Sequence, residues 1–306
     1  VMNNIDDGTG KKETRVKLIR NESIGEYSWD SSKSSINRGY GVNEWSQADL
    51  MKLLNPGYES ESVGGSLYYN GGSGNCYSNS NNLTTACDFT SSGLKTNLKS
   101  LIGDTLWSTG TNGTNSFTSA SNGLASHFYS YERSCNSGKI CSSGTDCNDT
   151  VERTTTWNGK VGLMYPSDYG YATSGGSTSD RTSCLNKELY NWNSSSNKDC
   201  TNNNWLYHTG TAQWTISPYA YSSFAYSVFS VYNTGSSSGG GGGGSIVGSI
   251  VGSSGGSSGG GVVGSIVRVN TQSASFSGWV RPSVYLISKT SILDGEGTFE
   301  NPYQIG

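Results

Sequence analysis

The sequence carries little charge for its length. Only 14% of its 306 residues are charged and the net charge is −3. No cluster of Lys and Arg is dense enough to neutralise a row of phosphates, so we expect no nucleic-acid partner. No apolar run approaches the roughly 20 residues that a transmembrane helix needs. The chain starts at Val1 without a signal peptide, so we expect a processed product that could reach a membrane only through a missing N-terminal anchor.

Aromatic residues are abundant where charge is scarce, with eight Trp and nineteen Tyr. A disordered chain normally combines few aromatics with a large net charge. We therefore expect a folded, loop-rich body that stays in solution through hydroxyl and amide groups.

The seven cysteines mostly fall as close neighbours in the sequence. The spacing predicts three local disulfides, Cys76 with Cys87, Cys141 with Cys147, and Cys184 with Cys200. Cys135 is left over, and since sequence does not fix connectivity it could replace Cys141 or Cys147. Closing such loops stabilises by roughly 2–3 kcal/mol each. Disulfides indicate an oxidising compartment, and we expect an extracellular or cell-surface location.

The alternative use of the cysteines is a metal site, because Cys135, Cys141 and Cys147 are close together. The sequence has no C-x-x-C, and neither His127 nor His208 lies at ligand spacing from them. We therefore expect no metal and no cofactor. Calcium ligation around residues 146–149 would lack the spacing of a known loop.

Apolar periodicity predicts helices early in the chain and strands late, which is typical of the α+β class. Asn43 and Ser167 are the predicted caps of two helices. Predicted helices cover residues 43–54, 94–103 and 124–131, and predicted strands cover residues 15–20, 161–165 and 280–287. The expected organisation is a polar leader or linker over residues 1–13, a domain over residues 14–290 and a C-terminal tail over residues 291–306.

The C-terminal third has an unusual composition. Residues 214–280 carry one formal charge, Arg268, and residues 235–267 consist only of Gly, Ser, Ile and Val. Gly and Ser alone predict a flexible linker. The recurring Ile-Val pairs favour strand instead, ordered by packing or by pairing with another chain.

The segment before this low-complexity insert is rich in Tyr and Ser, the composition of binding loops. The same pattern fits a half-buried strand, since Tyr226, Val228 and Ser230 share one face while Ser227 and Phe229 share the other. Both interpretations remain open. The binding candidates from composition are Tyr219, Tyr221, Ser222, Ser223, Tyr226, Ser227, Ser230 and Tyr232.

The sequence offers no convincing catalytic constellation. Matches to G-x-S-x-G at residues 252–256 and to G-x-G-x-x-G at residues 239–244 fall in the four-letter insert, where both are expected by chance. His127 and His208 are interpreted as structural or surface residues. Asp168 is an acidic candidate without an identifiable partner, so we expect no enzyme.

Three segments carry a resemblance to a known family. Trp214-Thr-Ile-Ser-Pro218, the pattern from Ala225 to Gly235, and Val280-Arg-Pro-Ser-Val-Tyr-Leu286 resemble the C-terminal region of C-type-lectin-like variable proteins, the targets of bacterial diversity-generating retroelements. Residues 43–57 and 159–171 are similar to surface modules of gut bacteria that often follow prepilin-type helices. The resemblance covers most of residues 14–305.

The resemblance implies a loop-rich, disulfide-stapled C-type-lectin-like fold, also that of formylglycine-generating enzymes, whose first and last strands pair near Val16 and Val284. It adds Phe224 and Asn233 to the binding candidates, because the family varies residues between the Trp/Pro and Arg/Pro anchors. The E-P-N and W-N-D motifs of calcium-dependent lectins are missing, since Asn191-Trp-Asn193 continues with Ser. Carbohydrate binding is therefore not carried over.

Two functions follow as hypotheses. The first is a bacterial surface module that binds or adheres to a protein or surface ligand through residues 214–280. The alternative is a homopolymeric subunit of a filament or pilus, in which Ile/Val-rich strands pair between copies. A relative of formylglycine-generating enzymes is a third hypothesis, but no catalytic cysteine constellation can be placed on the sequence.

Overall fold

The structure, a computed structural model, describes residues 2–32, 40–79, 83–110, 117–133, 154–192, 197–207, 212–219, 226–234, 266–287, 292–294 and 304–305. In these residues the chain is a mixed α+β protein with several small sheets. The predicted α+β class is confirmed.

The helices are short. They are α1 (Asp49–Leu54), α2 (Leu67–Asn70), α3 (Thr96–Lys99), α4 (Ala125–Glu132), α5 (Pro166–Tyr171), α6 (Thr178–Leu185) and α7 (Lys198–Asn202), with single 3-10 turns at Trp45–Gln47 and Leu189–Asn191.

The first nine strands are β1 (Met2–Asp6), β2 (Lys12–Arg15), β3 (Lys17–Ile19), β4 (Glu26–Ser28), β5 (Ser73–Asn79), β6 (Leu83–Asp88), β7 (Thr105–Ser108), β8 (Thr156–Gly159) and β9 (Val161–Gly162). The C-terminal strands are β10 (Gln213–Pro218), β11 (Ser227–Thr234), β12 (Ile266–Ser273), β13 (Ser277–Trp279), β14 (Ser283–Tyr285), β15 (Ile292–Asp294) and β16 (Gln304–Ile305).

The largest sheet has five strands in the order β12-β11-β10-β13-β4. Its centre is β10, the Trp-Thr-Ile-Ser-Pro segment, in which all six residues are buried. β11 pairs antiparallel with β12 from Ser227↔Ser273 to Thr234↔Ile266. The end of β11 and the start of β12, which flank the low-complexity insert, therefore lie side by side. The last Ile-Val dipeptide of the insert, Ile266-Val267, begins β12, as the strand preference of such dipeptides predicts.

Hydrophobic clusters cover both faces of this sheet. Val228 belongs to one cluster, and its neighbours Phe229 and Val231 belong to the other. This alternation confirms that successive side chains of β11 point to opposite faces. The first cluster contains four almost completely buried Trp side chains, Trp29, Trp45, Trp107 and Trp214.

A second sheet joins the two ends of the domain. Its order is β3-β14-β9, and β14 pairs antiparallel with β3 through Val284↔Leu18. The backbone N–H of Leu286 also donates to the carbonyl of Val16 at 2.9 Å. The predicted pairing of strands near Val16 and Val284 is confirmed, although β1 and β2 precede β3 and β15 and β16 follow β14.

The N-terminal residues differ from the predicted polar leader. β1 and β2 form an antiparallel hairpin, and Met2 and Ile5 pack against the first hydrophobic cluster. Two apolar side chains among polar residues were enough to attach the hairpin to the core, so residues 2–13 belong to the folded body.

Two of the three predicted disulfides are confirmed. Cys76 and Cys87 bridge the hairpin of β5 and β6 with Cα atoms 5.9 Å apart, and Cys184 and Cys200 join α6 to α7 with Cα atoms 5.5 Å apart. Both distances lie within the roughly 4.4–6.8 Å that disulfides span, and both bonds indicate an oxidising environment. Cys135, Cys141 and Cys147 lie outside the described residues.

Several predicted elements differ in extent. Asn43 caps no helix, and instead its amide donates to the backbone carbonyls of Tyr219 and Ser227. The helix predicted over residues 94–103 shortens to α3, because the backbone at both ends pairs with other parts of the chain: the N–H of Leu94 donates to the carbonyl of Tyr68 and that of Gly103 to the carbonyl of Tyr285. The strand predicted over residues 161–165 shortens to β9. Ser167 is not a cap, since α5 already begins at Pro166.

Candidate ligand groove

The structure separates the predicted recognition residues. Tyr219 and Tyr226 flank the loop between β10 and β11, whereas Tyr232 and Asn233 lie near the far end of β11. Six residues of extended chain, from Tyr226 to Tyr232, span about 20 Å. These residues do not form one patch. Tyr221, Ser222, Ser223 and Phe224 lie outside the described residues.

Three of the remaining candidates are buried. Tyr219 and Tyr226 are each 8% exposed and Ser230 is completely buried, while Ser227 is half-buried. The ring of Tyr219 lies 5.3 Å from that of Phe229, and the ring of Tyr226 lies 5.1 Å from that of Tyr40. These contacts pack Tyr219 and Tyr226 inside the protein beside the ends of β10 and β11, and Ser230 is buried within β11.

A groove lies elsewhere, against the sheet that joins the chain ends. It has a volume of about 260 Å³, close to the lower end of the roughly 300–1,000 Å³ of small-molecule sites. Its floor and walls combine two charged residues, two hydroxyl-bearing residues and otherwise mostly apolar side chains. The lining residues are Met2, Lys17, Ile19, Met164, Asp168, Tyr171, Ala172, Trp205, Leu206 and Ser283.

Strand register brings the floor together. Lys17 of β3 is opposite Tyr285 of β14, and Ile19 is opposite Ser283. Because alternate residues of a strand share a face, Lys17 and Ile19 point to the same side as Ser283 and Tyr285. The pairing of the chain ends therefore builds one side of the groove.

Lys17 is held as a cation in an aromatic surround. Its ammonium group donates to the carboxylate of Asp168. It lies 4.4 Å from the ring centre of Tyr165 and 5.6 Å from those of Trp107 and Tyr285. Burial lowers the pKa of Lys17, but the attraction to Asp168, the interaction with Tyr285 and the hydrogen bond to Asp168 together outweigh burial, and the net pKa is raised. Lys17 therefore stays protonated and has no free electron pair for nucleophilic attack.

Asp168 is positioned by the first turn of α5. Pro166 occupies the first helical position, where its missing N–H costs nothing. The Oδ2 atom of Asp168 accepts from the backbone N–H of Tyr165 at 2.8 Å, as in one half of a capping box. One carboxylate oxygen thus serves both the helix start and Lys17.

Ser283 lies in the floor of the groove, on the same face of the sheet as Lys17 and Ile19. The residue is completely buried, and its Oγ has no hydrogen-bond partner among the residues that the structure describes. A buried polar group without a partner costs roughly 1–3 kcal/mol. A bound molecule that offers a hydrogen-bonding group to this hydroxyl would remove that cost.

The rim of the groove carries exposed aromatic rings. Trp205 is 67% exposed and Tyr171 is 39% exposed. The indole is presented by a fixed backbone, because the N–H of Trp205 donates to the carbonyl of Ala172 at 3.3 Å and the next residue, Leu206, is buried. The Cys184–Cys200 disulfide supports this segment through Thr173, whose hydroxyl donates to the carbonyl of Cys200 at 2.6 Å.

Arg281 connects the strand β14 to the Trp205 segment. Its guanidinium donates to the backbone carbonyl of Leu206 at 2.9 Å and to that of Arg20 at 2.8 Å. Burial lowers the pKa of Arg281 to about 10. The Arg of the predicted Arg/Pro anchor thus stabilises the wall of the groove.

A second acid lies behind the groove, on α4. Glu132 is buried and accepts hydrogen bonds from the backbone N–H and the hydroxyl of Ser167 in α5. Burial raises the pKa of Glu132 to about 7, although the bonds from Ser167 and the charge of Arg133 oppose the increase. Its contact with α5 fixes the helix that carries Asp168.

Sequence reasoning missed the groove because its residues are distant in the chain. Asp168 stood out in the sequence only as an acid without a partner, and its partner Lys17 lies 151 residues away. The one available signal was Lys17 itself, a charged residue inside the apolar run of β3. In the part of the chain that is described, no group of three or more His, Cys, Asp and Glu residues could hold a metal ion. No described helix has the length and apolar character needed to cross a membrane.

Comparisons of the chain with models of protein families, with curated proteins and with solved structures find no match. The function of the groove is therefore inferred from its own residues and contacts.

Replacing Tyr226 tests whether it belongs to the core. We expect Tyr226→Ala to lower the free energy of unfolding by about 3 kcal/mol, since it removes a buried ring. Tyr226→Phe keeps the ring and should cost no more than about 1.5 kcal/mol. Equilibrium unfolding in urea measures both. An unchanged unfolding midpoint for Tyr226→Ala would contradict the core role and favour a role of Tyr226 in recognition.

Proposed function

We propose that the chain is a bacterial cell-surface or secreted module that binds a ligand in this groove, and that its fold is of the C-type-lectin-like class that the sequence resembles. The pairing of β3 with β14 supports the fold proposal, because the resemblance implies that the strands near Val16 and Val284 pair. The two disulfides support an oxidising, extracellular setting.

The observation that carries the proposal is a fixed, exposed Trp205 beside a buried hydroxyl that lacks a partner among the described residues. Trp is enriched among the residues that dominate binding energy, because its large ring gains much from removal of water. Binding sites typically combine apolar walls with a few placed polar groups. Trp205, Tyr171 and Ser283 have this arrangement.

The charges in the groove favour binding over catalysis. A raised pKa keeps Lys17 protonated, and its ion pair with Asp168 uses the carboxylate that a general base would need. Protonated Lys17 has no free electron pair with which to accept a proton. The groove therefore suits recognition of an intact ligand.

Pools of small fragments test the groove while its ligand is still unidentified. In proton–nitrogen NMR spectra, the Trp205→Ala variant identifies the indole signal of Trp205. We expect fragments to shift this signal and to leave that of Trp279 unchanged, since the Trp279 indole donates to Glu26 at 3.0 Å on another sheet. Fragments that bind only elsewhere, or none that bind, would contradict the proposed site.

An assembly function is a second candidate, favoured by the position of β12. Among the described strands, β12 lies at the edge of the five-stranded sheet and pairs on one side only, with β11. An edge strand offers unpaired N–H and C=O groups to another chain. Its first residues, Ile266 and Val267, belong to the low-complexity insert.

Electron microscopy of the purified chain at high concentration distinguishes this candidate. If copies pair through β12, fibres should form, and replacing Val267 with Pro should prevent them, because Pro cannot donate to a strand ladder. A monodisperse monomer in both samples would exclude assembly through this edge under the conditions used.

A further inference from the structure

The nature of the ligand can be narrowed from the charges of the groove. Lys17 and Asp168 are the two charged residues that line it, and they neutralise each other. Because the pair has no net charge, a charged ligand would gain little net attraction from it while losing its own hydration, which is costly in a largely buried setting. The groove therefore selects a neutral ligand.

The polar atoms of the floor can form hydrogen bonds with hydroxyl groups of a ligand. The Oδ1 atom of Asp168 accepts no hydrogen bond from the described residues and can only accept, while the unpartnered hydroxyl of Ser283 can donate or accept. A ligand hydroxyl can donate to Asp168, and a second can meet Ser283 in either direction. A purely apolar ligand would leave both groups unpaired, at a cost of roughly 1–3 kcal/mol each.

The rim requires a ligand with an apolar face as well. The rings of Trp205 and Tyr171 present large exposed surfaces at the mouth of the groove. The electron-rich face of an aromatic ring attracts the weakly positive hydrogens of C–H groups. A pyranose ring combines such a C–H face with several hydroxyls, carries no charge, and suits a groove of about 260 Å³.

A peptide fits the groove less well. One common mode of peptide binding adds the peptide as a strand to a sheet edge through main-chain hydrogen bonds. The floor here is made by the side chains of Lys17, Ile19 and Ser283, and the strand of Ser283, β14, is already paired on both sides, with β3 and β9. The floor therefore offers a peptide few backbone partners.

We propose that the groove binds one neutral pyranose ring of a glycan, stacked on Trp205 and hydrogen-bonded to Asp168 and Ser283, without a bridging metal ion. The proposal rests on the proposed binding function of the groove and names its ligand class. Lys17 already supplies the positive charge beside Asp168, so a cation is not needed there. The site thus differs from a calcium-dependent one, whose E-P-N and W-N-D motifs the sequence lacks.

The test uses methyl glycosides of glucose, galactose, mannose and N-acetylglucosamine as probes, titrated against the whole chain while the Trp205 indole signal is followed. We expect at least one to saturate with a Kd of about 1–10 mM, which is ordinary for a single small ring. Added EDTA should leave that Kd unchanged. A Kd that rises with EDTA would overturn the metal-free site.

Matched variants locate the binding. Trp205→Ala and Ser283→Ala should each weaken the binding by roughly tenfold, and for Trp205→Ala, which lacks the indole, the backbone amide signals of the groove residues are followed instead. Phe276→Ala serves as the control, since Phe276 is also 39% exposed but packs near Trp214, away from the groove. Equal weakening in the Phe276→Ala variant, or full binding by Trp205→Ala, would overturn the proposal.

A neutral amino-acid derivative distinguishes failure of the glycan proposal from failure of the proposed binding function. If N-acetyl-tyrosinamide saturates the Trp205 signal and none of the four glycosides does, the groove binds ligands but the glycan proposal is wrong. If neither class of probe and no fragment binds, the proposed function of the groove fails as well.

Discussion

The contact between Lys17 and Asp168 organises the part of the molecule that we assign to function. It joins the first strand of the second sheet to a helix 151 residues later in the chain. A buried ammonium group without its counter-charge would be strongly unfavourable. The ion pair therefore fixes α5 against β3, and the pairing of β3 with β14 then places Ser283 beside both.

The surroundings of this ion pair make it rigid. Tyr165, Trp107 and Tyr285 enclose the ammonium group with their rings. Behind α5, Glu132 accepts two hydrogen bonds from Ser167. The mouth of the groove is fixed separately, by the Cys184–Cys200 disulfide and by Arg281, so the exposed Trp205 is presented by a backbone that is held from several sides.

Much of the fold could be predicted from local signals. The α+β class, two disulfides, the helix α4 and the alternation of β11 each depend on residues close together in sequence. The predicted helix cap at Asn43 and the predicted length of the helix over residues 94–103 were wrong, because tertiary contacts overrode local propensity. Composition could not resolve the Tyr/Ser segment, because binding loops and packed strands share it. In the structure Tyr219, Tyr226 and Ser230 are buried, Tyr219 in the second hydrophobic cluster and Ser230 within β11.

The site itself was hardly predictable, for a physical reason. Its polar residues, Lys17, Asp168 and Ser283, come from three distant elements, and no short motif links them. These charged and hydroxyl groups can form a binding site only when strand register and helix position bring them into one cavity. The chain-end pairing was expected from the family resemblance, but the resemblance directed attention to residues 214–280 and not to the sheet that the chain ends form.

The central claim is that the Lys17–Asp168 pair fixes the groove, and a double-mutant cycle tests it most directly. Unfolding free energies are measured for Lys17→Met, Asp168→Asn and the double variant. Each single change should cost about 3 kcal/mol by leaving one charge unpaired, and the double variant should cost less than their sum by at least about 2 kcal/mol. Strictly additive losses would contradict the claim that the two side chains act as one unit.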